Sequence, residues 1–183
     1  MVVAYGLVVA DEIEIRTILA SDYAAVGEAT ARAFREYWTP DSPGWEAYLA
    51  RIADVESRTE RAIVLVAVDR GIIAGSVTLE LDSRISPAAS EPLAPDEAHV
   101  RMLGVIPEHR GRGIARRLML ACIDTARRNG KLVMTLDTDP LMTVAQQLYV
   151  KLGFTSTGLQ TRPDGLALFS YILDIESHAP ANR

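Results

Sequence analysis

The chain has 183 residues, enough for one domain and too few for two ordinary ones. Its hydrophobic share of 49% excludes a disordered chain. With 19 basic against 24 acidic residues the net charge is −5, which argues against nucleic acid as a main partner, because phosphate binding needs positive potential.

Residues 1–12 begin with the apolar run MVVAYGLVVA. That run is too short to span a bilayer, which takes about 20 residues. No Lys or Arg precedes it, and Asp11, Glu12 and Glu14 follow, the reverse of a signal peptide. A flexible tail is favoured over an extra strand, and the chain is expected to be cytoplasmic, with no membrane partner. Residues 13–175 are expected to form a single domain, with 176–183 as a C-terminal tail.

Ile13 to Ile18 alternates weakly and predicts a strand. Ser21-Asp22 has the chemistry of a helix cap, and Ala25, Val26, Ala29, Ala33 and Phe34 keep helical spacing to about Tyr37. A breaker cluster from Thr39 to Gly44 precedes a second predicted helix, Trp45 to Ser57, with Tyr48, Ile52 and Val55 on one stripe. Ala62–Val68 and Ile72–Leu81 read as a hairpin about Asp69-Arg70-Gly71. Ser83–Asp96 is the longest stretch without predicted structure. Ala98–Val105 predicts a strand, and Gly113 to Asn129 a helix with Leu118, Cys122 and Ala126 buried. Leu132–Leu136 is a solid apolar strand, which makes a βαβ unit with the strand and helix before it. A helix at Leu141–Leu152 and strands at Phe154–Gly158 and Leu166–Ile175 complete the chain. The expected fold class is α/β, a twisted mixed sheet of about seven strands flanked by about four helices.

The most informative segment is Arg110-Gly111-Arg112-Gly113-Ile114-Ala115, between a strand and a helix. Glycines there let backbone approach a ligand, and the first helical turn offers unpaired N–H groups with a partial positive charge. This is an anion site suited to a pyrophosphate, to which Arg110 and Arg112 can add charge-assisted hydrogen bonds. It lacks the GxxxxGK[ST] and GxGxxG patterns, which disfavours ATP, GTP and dinucleotides. On its own the glycine pair is equally a plain strand-to-helix connection.

The stretch His99–Ala115 (HVRMLGVIPEHRGRGIA) resembles the acetyl-CoA-binding motif of the GNAT superfamily of N-acetyltransferases, [RQ]xxGx[GA] after a strand ending hydrophobic-Val-x-Pro, with Arg110, Gly113 and Ala115 at the motif positions. Ala145–Phe154 (AQQLYVKLGF) resembles the family's second signature, AxxLYxKxGF, one helix and one strand farther on. The resemblance spans roughly residues 13–175. One departure is Met142, where the family often has Asn; the adjacent Thr143 can supply a hydroxyl.

The resemblance implies a GNAT-like sheet and an acetyl-CoA-dependent transfer to a primary amine of a small molecule or peptide by direct attack. It implies that two strands splay and that the pantetheine pairs with Leu103 and Val105, with an N–H near Leu103 polarising the thioester carbonyl. Gly104 fits this picture as a bulge or a close backbone approach, against packing under a bulky neighbour. Tyr149 matches the tyrosine near the CoA sulfur and is the candidate acid, against an ordinary packed tyrosine. His99 and Glu97, two residues apart on one strand face, are the candidate bases, against hydrogen-bonding surface residues or a water chain. The cofactor contacts are expected at Leu103, Gly104, Val105, Arg110, Gly111, Arg112, Gly113, Ile114, Ala115, Thr143 and Tyr149.

Cys122 lies on an apolar stripe and reads as a buried structural thiol, and His109 as a solvated loop residue. As the only cysteine, Cys122 also excludes an internal disulfide and a cysteine-rich zinc site. The three histidines, 99, 109 and 178, show no metal-ligand spacing, so no metal is expected.

For the acceptor, the aromatics Phe34, Tyr37, Trp38, Trp45 and Tyr48 form either a pocket wall or helix–helix packing, the latter favoured. Glu36, Asp41, Glu46, Asp82 and Glu97 are acids that could attract an amine. Two readings compete with an N-acetyltransferase: a non-catalytic CoA-binding sensor, which needs no Tyr149, and an enzyme using a longer acyl-CoA. A homodimer is compatible with exposed strand edges but nothing in the sequence fixes one.

Overall fold

The computed structural model describes residues 13–37, 44–82, 93–161 and 165–178. Residues 1–12, Trp38, Asp41 and most of the predicted 83–96 loop lie outside them. The strands are β1 (Ile13–Thr17), β2 (Ile63–Asp69), β3 (Ile72–Glu80), β4 (Glu97–Val105), β5 (Val133–Thr138), β6 (Thr155–Thr161) and β7 (Ala167–Asp174). The helices are α1 (Tyr23–Phe34), α2 (Trp45–Ala53), α3 (Val55–Thr59), α4 (Ile114–Arg128) and α5 (Thr143–Lys151). The seven strands form one sheet in the order β1-β2-β3-β4-β5-β7-β6, in which only the β4–β5 pair is parallel. This is the expected mixed α/β sheet. No helix among the described residues is long and apolar enough to cross a membrane.

Local chemistry sets the ends of these elements. At the β2–β3 hairpin, Arg70 (φ 49°) and Gly71 (φ 80°) are both left-handed, as a two-residue turn matched to strand twist requires. Asn129 ends α4 and Gly130 leaves it at φ 71°. Two boundaries differ from expectation. Asp22 caps one turn early: its carboxylate accepts from the Leu19 N–H at 2.8 Å and from Arg16, so a 3-10 turn at Ala20–Asp22 precedes α1. The second predicted helix is two, because Asp54 accepts from the Ser57 N–H at 3.2 Å and from its hydroxyl at 2.6 Å, starting a new helix. Arg127 donates to the carbonyl of Ile175, the last residue of the expected domain, and to that of His178 in the expected tail.

Apolar residues cover both faces of the sheet. Leu118, Met119, Cys122, Ile123 and Ala126 of α4 are fully buried with Val77, Leu79, Val100, Met134, Leu136 and Leu173 of the strands, joined by Tyr149, Leu152 and Phe154. On the other face, Val26 and Ala29 of α1 and Val55 of α3 meet Val64, Val66 and Ile73. Beyond β3 this second face turns polar and carries Glu80, Glu97, His99, Arg101, Thr135, Asp137 and Ser170 at alternating strand positions.

A bulge in β4 is the feature that matters most for the site. Ser76 pairs with Gly104 and Thr78 with Arg101, so β4 carries one extra residue, and Met102 sits at φ 52°. The extra residue changes the alternation: Ala98 and Val100 belong to the α4-side core before the bulge, Leu103 and Val105 after it. Gly104 lies next to this bulge but serves packing: a Cβ there would sit 2.9 Å from the Ala33 Cβ and 3.3 Å from Phe34 Cε2. We expect Gly104→Val to cost about 1–3 kcal/mol and lower the melting midpoint by several degrees, read by thermal denaturation. An unchanged midpoint would mean that α1 does not press on this strand.

Candidate active site

The pairing of β4 with β5 runs from Glu97 opposite Val133 to Val100 opposite Leu136 and stops there. Past that point β5 continues against β7 alone, while Arg101–Val105 keep only β3. The parted strands open a cavity of about 680 Å³. Leu103, Gly104 and Val105 line it, as do Gly111, Gly113, Ile114, Ala115, Thr143 and Tyr149. The structure thus gathers most of the sequence-predicted contact residues around one opening.

The glycine turn forms one end of the cavity. Gly111 (φ 75°) and Gly113 (φ 74°) are left-handed, and open space lies where their Cβ atoms would stand. Gly113 is the N-cap of α4, and the first donor satisfied by the helix is the Arg117 N–H, on the Gly113 carbonyl at 3.0 Å. The N–H groups of Ile114, Ala115 and Arg116 precede it and have no intrahelical acceptor. Arg116, which the sequence reading passed over, is exposed and lines the cavity one turn in. Its signal was its place in the first turn, off the buried stripe.

The two arginines of the turn are both engaged by protein groups. Arg110 lines the cavity but spends its guanidinium on protein: Nε donates to the Val105 carbonyl at 3.0 Å, Nη1 to Glu36 at 2.6 Å and Nη2 to the Ala33 carbonyl at 3.3 Å. The Arg110 hydrogen bond holds the Glu36 carboxyl below its ordinary pKa. Arg112 does not line the cavity; it pairs with Asp69 at the end of β2. The same Asp69 holds His109 Nε2 at 3.1 Å, and the Arg112 hydrogen bond lowers its pKa. His109 is therefore no solvated loop residue: it lines the cavity and its Nδ1 is buried without a partner. Two ion-paired clamps, Arg110–Glu36 and Arg112–Asp69, fix the turn from either side.

Tyr149 is buried against the cavity, its ring 6.0 Å from Phe154 and 5.7 Å from Tyr171 between centroids. Burial raises its phenol pKa, so it stays protonated through the neutral range. Thr143 begins α5 at the cavity edge, and Met142, in the departing position, is its N-cap and packs toward Phe34 and Ile52. Cys122 is wholly buried, and burial raises its thiol pKa, as an inert packing residue requires.

His99 and Glu97 do not line the cavity. They lie on the polar sheet face, His99 two residues before Arg101, which does line it. Thr135 joins them: its hydroxyl donates to Glu97 Oε1 at 2.6 Å and stands 2.8 Å from His99 Nδ1. A hydroxyl has one proton. With that proton on Glu97, the Thr135 oxygen accepts from Nδ1–H, which leaves His99 Nε2 as a bare acceptor. Burial lowers the His99 pKa, favouring this neutral ring.

Among the aromatics expected either to wall an acceptor pocket or to pack the helices, Phe34 packs edge-on to Tyr37 at 6.5 Å and to Tyr48 at 6.3 Å, and Trp45 lies 5.2 Å from Tyr48. The aromatics serve helix packing first, as favoured, although Phe34 and Tyr37 also face the cavity. Of the acids expected to draw an amine, Glu36 is held by Arg110, Glu97 by Thr135, and Glu46 is exposed on α2. Asp82 is half-buried and does not line the cavity. Asp137 and Asp139, which the sequence reading missed, do line it. Among the described residues no group of His, Cys, Asp or Glu is arranged to hold a metal ion.

Residues 27–154 match the profile of the Acetyltransferase (GNAT) family. Mouse N-acetyltransferase 8B is 28% identical over 113 residues, which cover 62% of this chain and 46% of that protein. The chain therefore spans about half the length of the curated relative it matches. Among solved structures it is similar to YncA of Salmonella typhimurium, a proposed acetyltransferase with its cofactor acetyl-CoA, at 26% identity and a TM-score of 0.66, covering 93% of this chain and 98% of that one. A GNAT acetyltransferase of Brucella melitensis in complex with acetyl-CoA shares the fold at 19% identity and a TM-score of 0.62, with 95% of each chain covered.

Proposed function

Because the chain belongs to the GNAT family of acetyltransferases, we propose that it transfers the acetyl group of acetyl-CoA to a primary amine by direct attack. The observation that carries this reading is the parting of β4 and β5 beside the glycine turn. That arrangement offers an anion cradle at one end and unpaired strand backbone along the gap. The diphosphate would lie on the amides of Gly111, Gly113, Ile114 and Ala115, with Arg116 adding charge. The pantetheine would run along Leu103–Val105, and Thr143 would stand at the far rim. Arg110 and Arg112 shape the turn through Glu36 and Asp69 rather than touch phosphate.

In the reaction the amine nitrogen attacks the thioester carbonyl carbon, the C–S bond breaks, and the Tyr149 phenol protonates the leaving sulfur. His99 takes the proton from the amine through solvent, with Thr135 and Glu97 holding its Nε2 bare. Binding both substrates in one cleft removes much of the entropic barrier.

Calorimetry with acetyl-CoA, followed by thiol release with a panel of amines, tests the reading. Heat and release support it; heat without release from any amine supports a sensor; no heat refutes it. The His99 assignment has its own signature in pH. A lowered histidine pKa means the neutral base persists above the usual value of about 6.5 and is lost only as pH falls below it. We expect an acid limb there that disappears in His99→Gln and moves in Thr135→Val. An unchanged limb in His99→Gln would remove His99 from the mechanism.

A further inference from the structure

The acceptor end of the cleft carries an electrostatic anomaly. Arg58 of α3 reaches under the sheet, where its Nη1 donates to Thr78 Oγ1 at 3.1 Å and to Met102 Sδ at 3.3 Å. Its Nε and Nη2 are buried and have no hydrogen-bond partner. Beside it, Arg101 pairs with Glu80 at 3.0 Å, and the other Glu80 oxygen is buried and unpartnered. Burial lowers the Arg58 pKa to about 10, so the group is still a cation at neutral pH. A desolvated cation with unused donors is costly unless an anion meets it.

The place of this group ties it to the cavity. Met102 and Arg101, its two neighbours from β4, both line the opening. Arg58 therefore stands one flexible side chain behind the wall, bonded to a thioether, which is a weak acceptor. On the parted β5 side, Asp137 and Asp139 line the same opening, Asp137 Oδ1 accepting from the Ser170 hydroxyl at 2.6 Å and Asp139 Oδ1 from the Leu141 N–H at 2.8 Å, each with its second oxygen left for a ligand. One rim is thus cationic and the other anionic. A simple amine would use only the second.

We infer that the acceptor is a free α-amino acid, whose carboxylate displaces the Met102 sulfur to lie on Arg58 and Arg101 while its amine faces Asp137. This rests on the acetyl-transfer reading for the site's location. It distinguishes a free amino acid from a peptide N-terminus, whose first carboxyl is tied up as an amide.

The test is calorimetry of the common α-amino acids and their carboxamides against the CoA-saturated protein, with thiol release from acetyl-CoA measured on the same pairs. We expect at least one amino acid to bind about tenfold or more tightly than its amide, as a fork of charge-assisted hydrogen bonds implies. Arg58→Gln should abolish that preference while amide binding and the dissociation constant of CoA stay unchanged. Arg58→Lys, which keeps the charge but not the fork, should retain part of it. The melting midpoint of Arg58→Gln should not fall, because the change removes an unpaired buried charge; a large drop would make Arg58 a structural residue and overturn the inference. Equal affinity for acids and amides overturns it, as does acetylation of carboxylate-free amines with no amino acid bound. Arg58-dependent binding of an amino acid without turnover supports the subsite and refutes only the transfer reading. No binding of any amino acid refutes the inference, and only the absence of thiol release from the whole amine panel refutes the transfer reading with it.

Discussion

Gly113→Asp is expected to weaken coenzyme A binding by about 100-fold or more, the larger part of it from charge. Gly113 stands at φ 74° as the N-cap of α4, directly before the unpaired amides of Ile114, Ala115 and Arg116. Two penalties act there. A side chain in the left-handed region costs about 1–2 kcal/mol, although Asn and Asp bear it better than other residues. A carboxylate would also stand where the proposed site holds the diphosphate. Gly113→Asn carries nearly the same shape and backbone tolerance without the charge, so the difference between the two variants isolates the electrostatic part. We expect Gly113→Asn to bind within about tenfold of the parent, and the gap between Asn and Asp to narrow in high salt. Calorimetry at low and high ionic strength measures both. Equal dissociation constants for the two variants would mean that no anion approaches this helix end.

The glycine turn was legible in the sequence because its chemistry is local. A left-handed N-cap, a short loop and the first turn of a helix need only neighbouring residues, and the turn stands where Gly111 and Gly113 placed it. The arginines between them were not legible. Their partners Glu36 and Asp69 lie 74 and 43 residues away, and only the fold brings them near. The same limit hid Arg58. It lies in the polar run Glu56-Ser57-Arg58-Thr59-Glu60-Arg61, which has the pattern of a solvated helix end, yet its guanidinium is held against β3 and β4. The break at Asp54 carried a local signal, an acid three residues before Ser57, that was masked by the apolar spacing of Tyr48, Ile52 and Val55. The bulge had no residue signature of its own. Gly104 pointed to the right stretch of strand, but the left-handed residue is Met102, and a methionine at positive φ follows from sheet and helix packing, not from its own preference.

Tyr149→Phe is expected to lower kcat by about 100-fold while the dissociation constant of coenzyme A changes by less than about twofold. The asymmetry follows from where the ring and the hydroxyl stand. The ring is packed between Phe154 and Tyr171 and a phenylalanine keeps those contacts, so fold and cofactor binding are preserved. The hydroxyl alone is lost, and with it the proton that the proposed mechanism gives to the departing sulfur. Burial raises the phenol pKa, so the group stays in its acid form through the neutral and mildly alkaline range. It follows that acetyl transfer by the parent protein should show no falling limb from Tyr149 up to about pH 10. A second readout separates chemistry from packing: acyl donors with better leaving groups than an alkyl thiolate need less protonation, so the Phe variant should recover with an aryl thioester. Turnover within about threefold of the parent on acetyl-CoA would assign Tyr149 to packing alone and leave the sulfur to a backbone dipole or solvent. A loss that is identical for alkyl and aryl thioesters would place the defect in positioning, not in proton transfer.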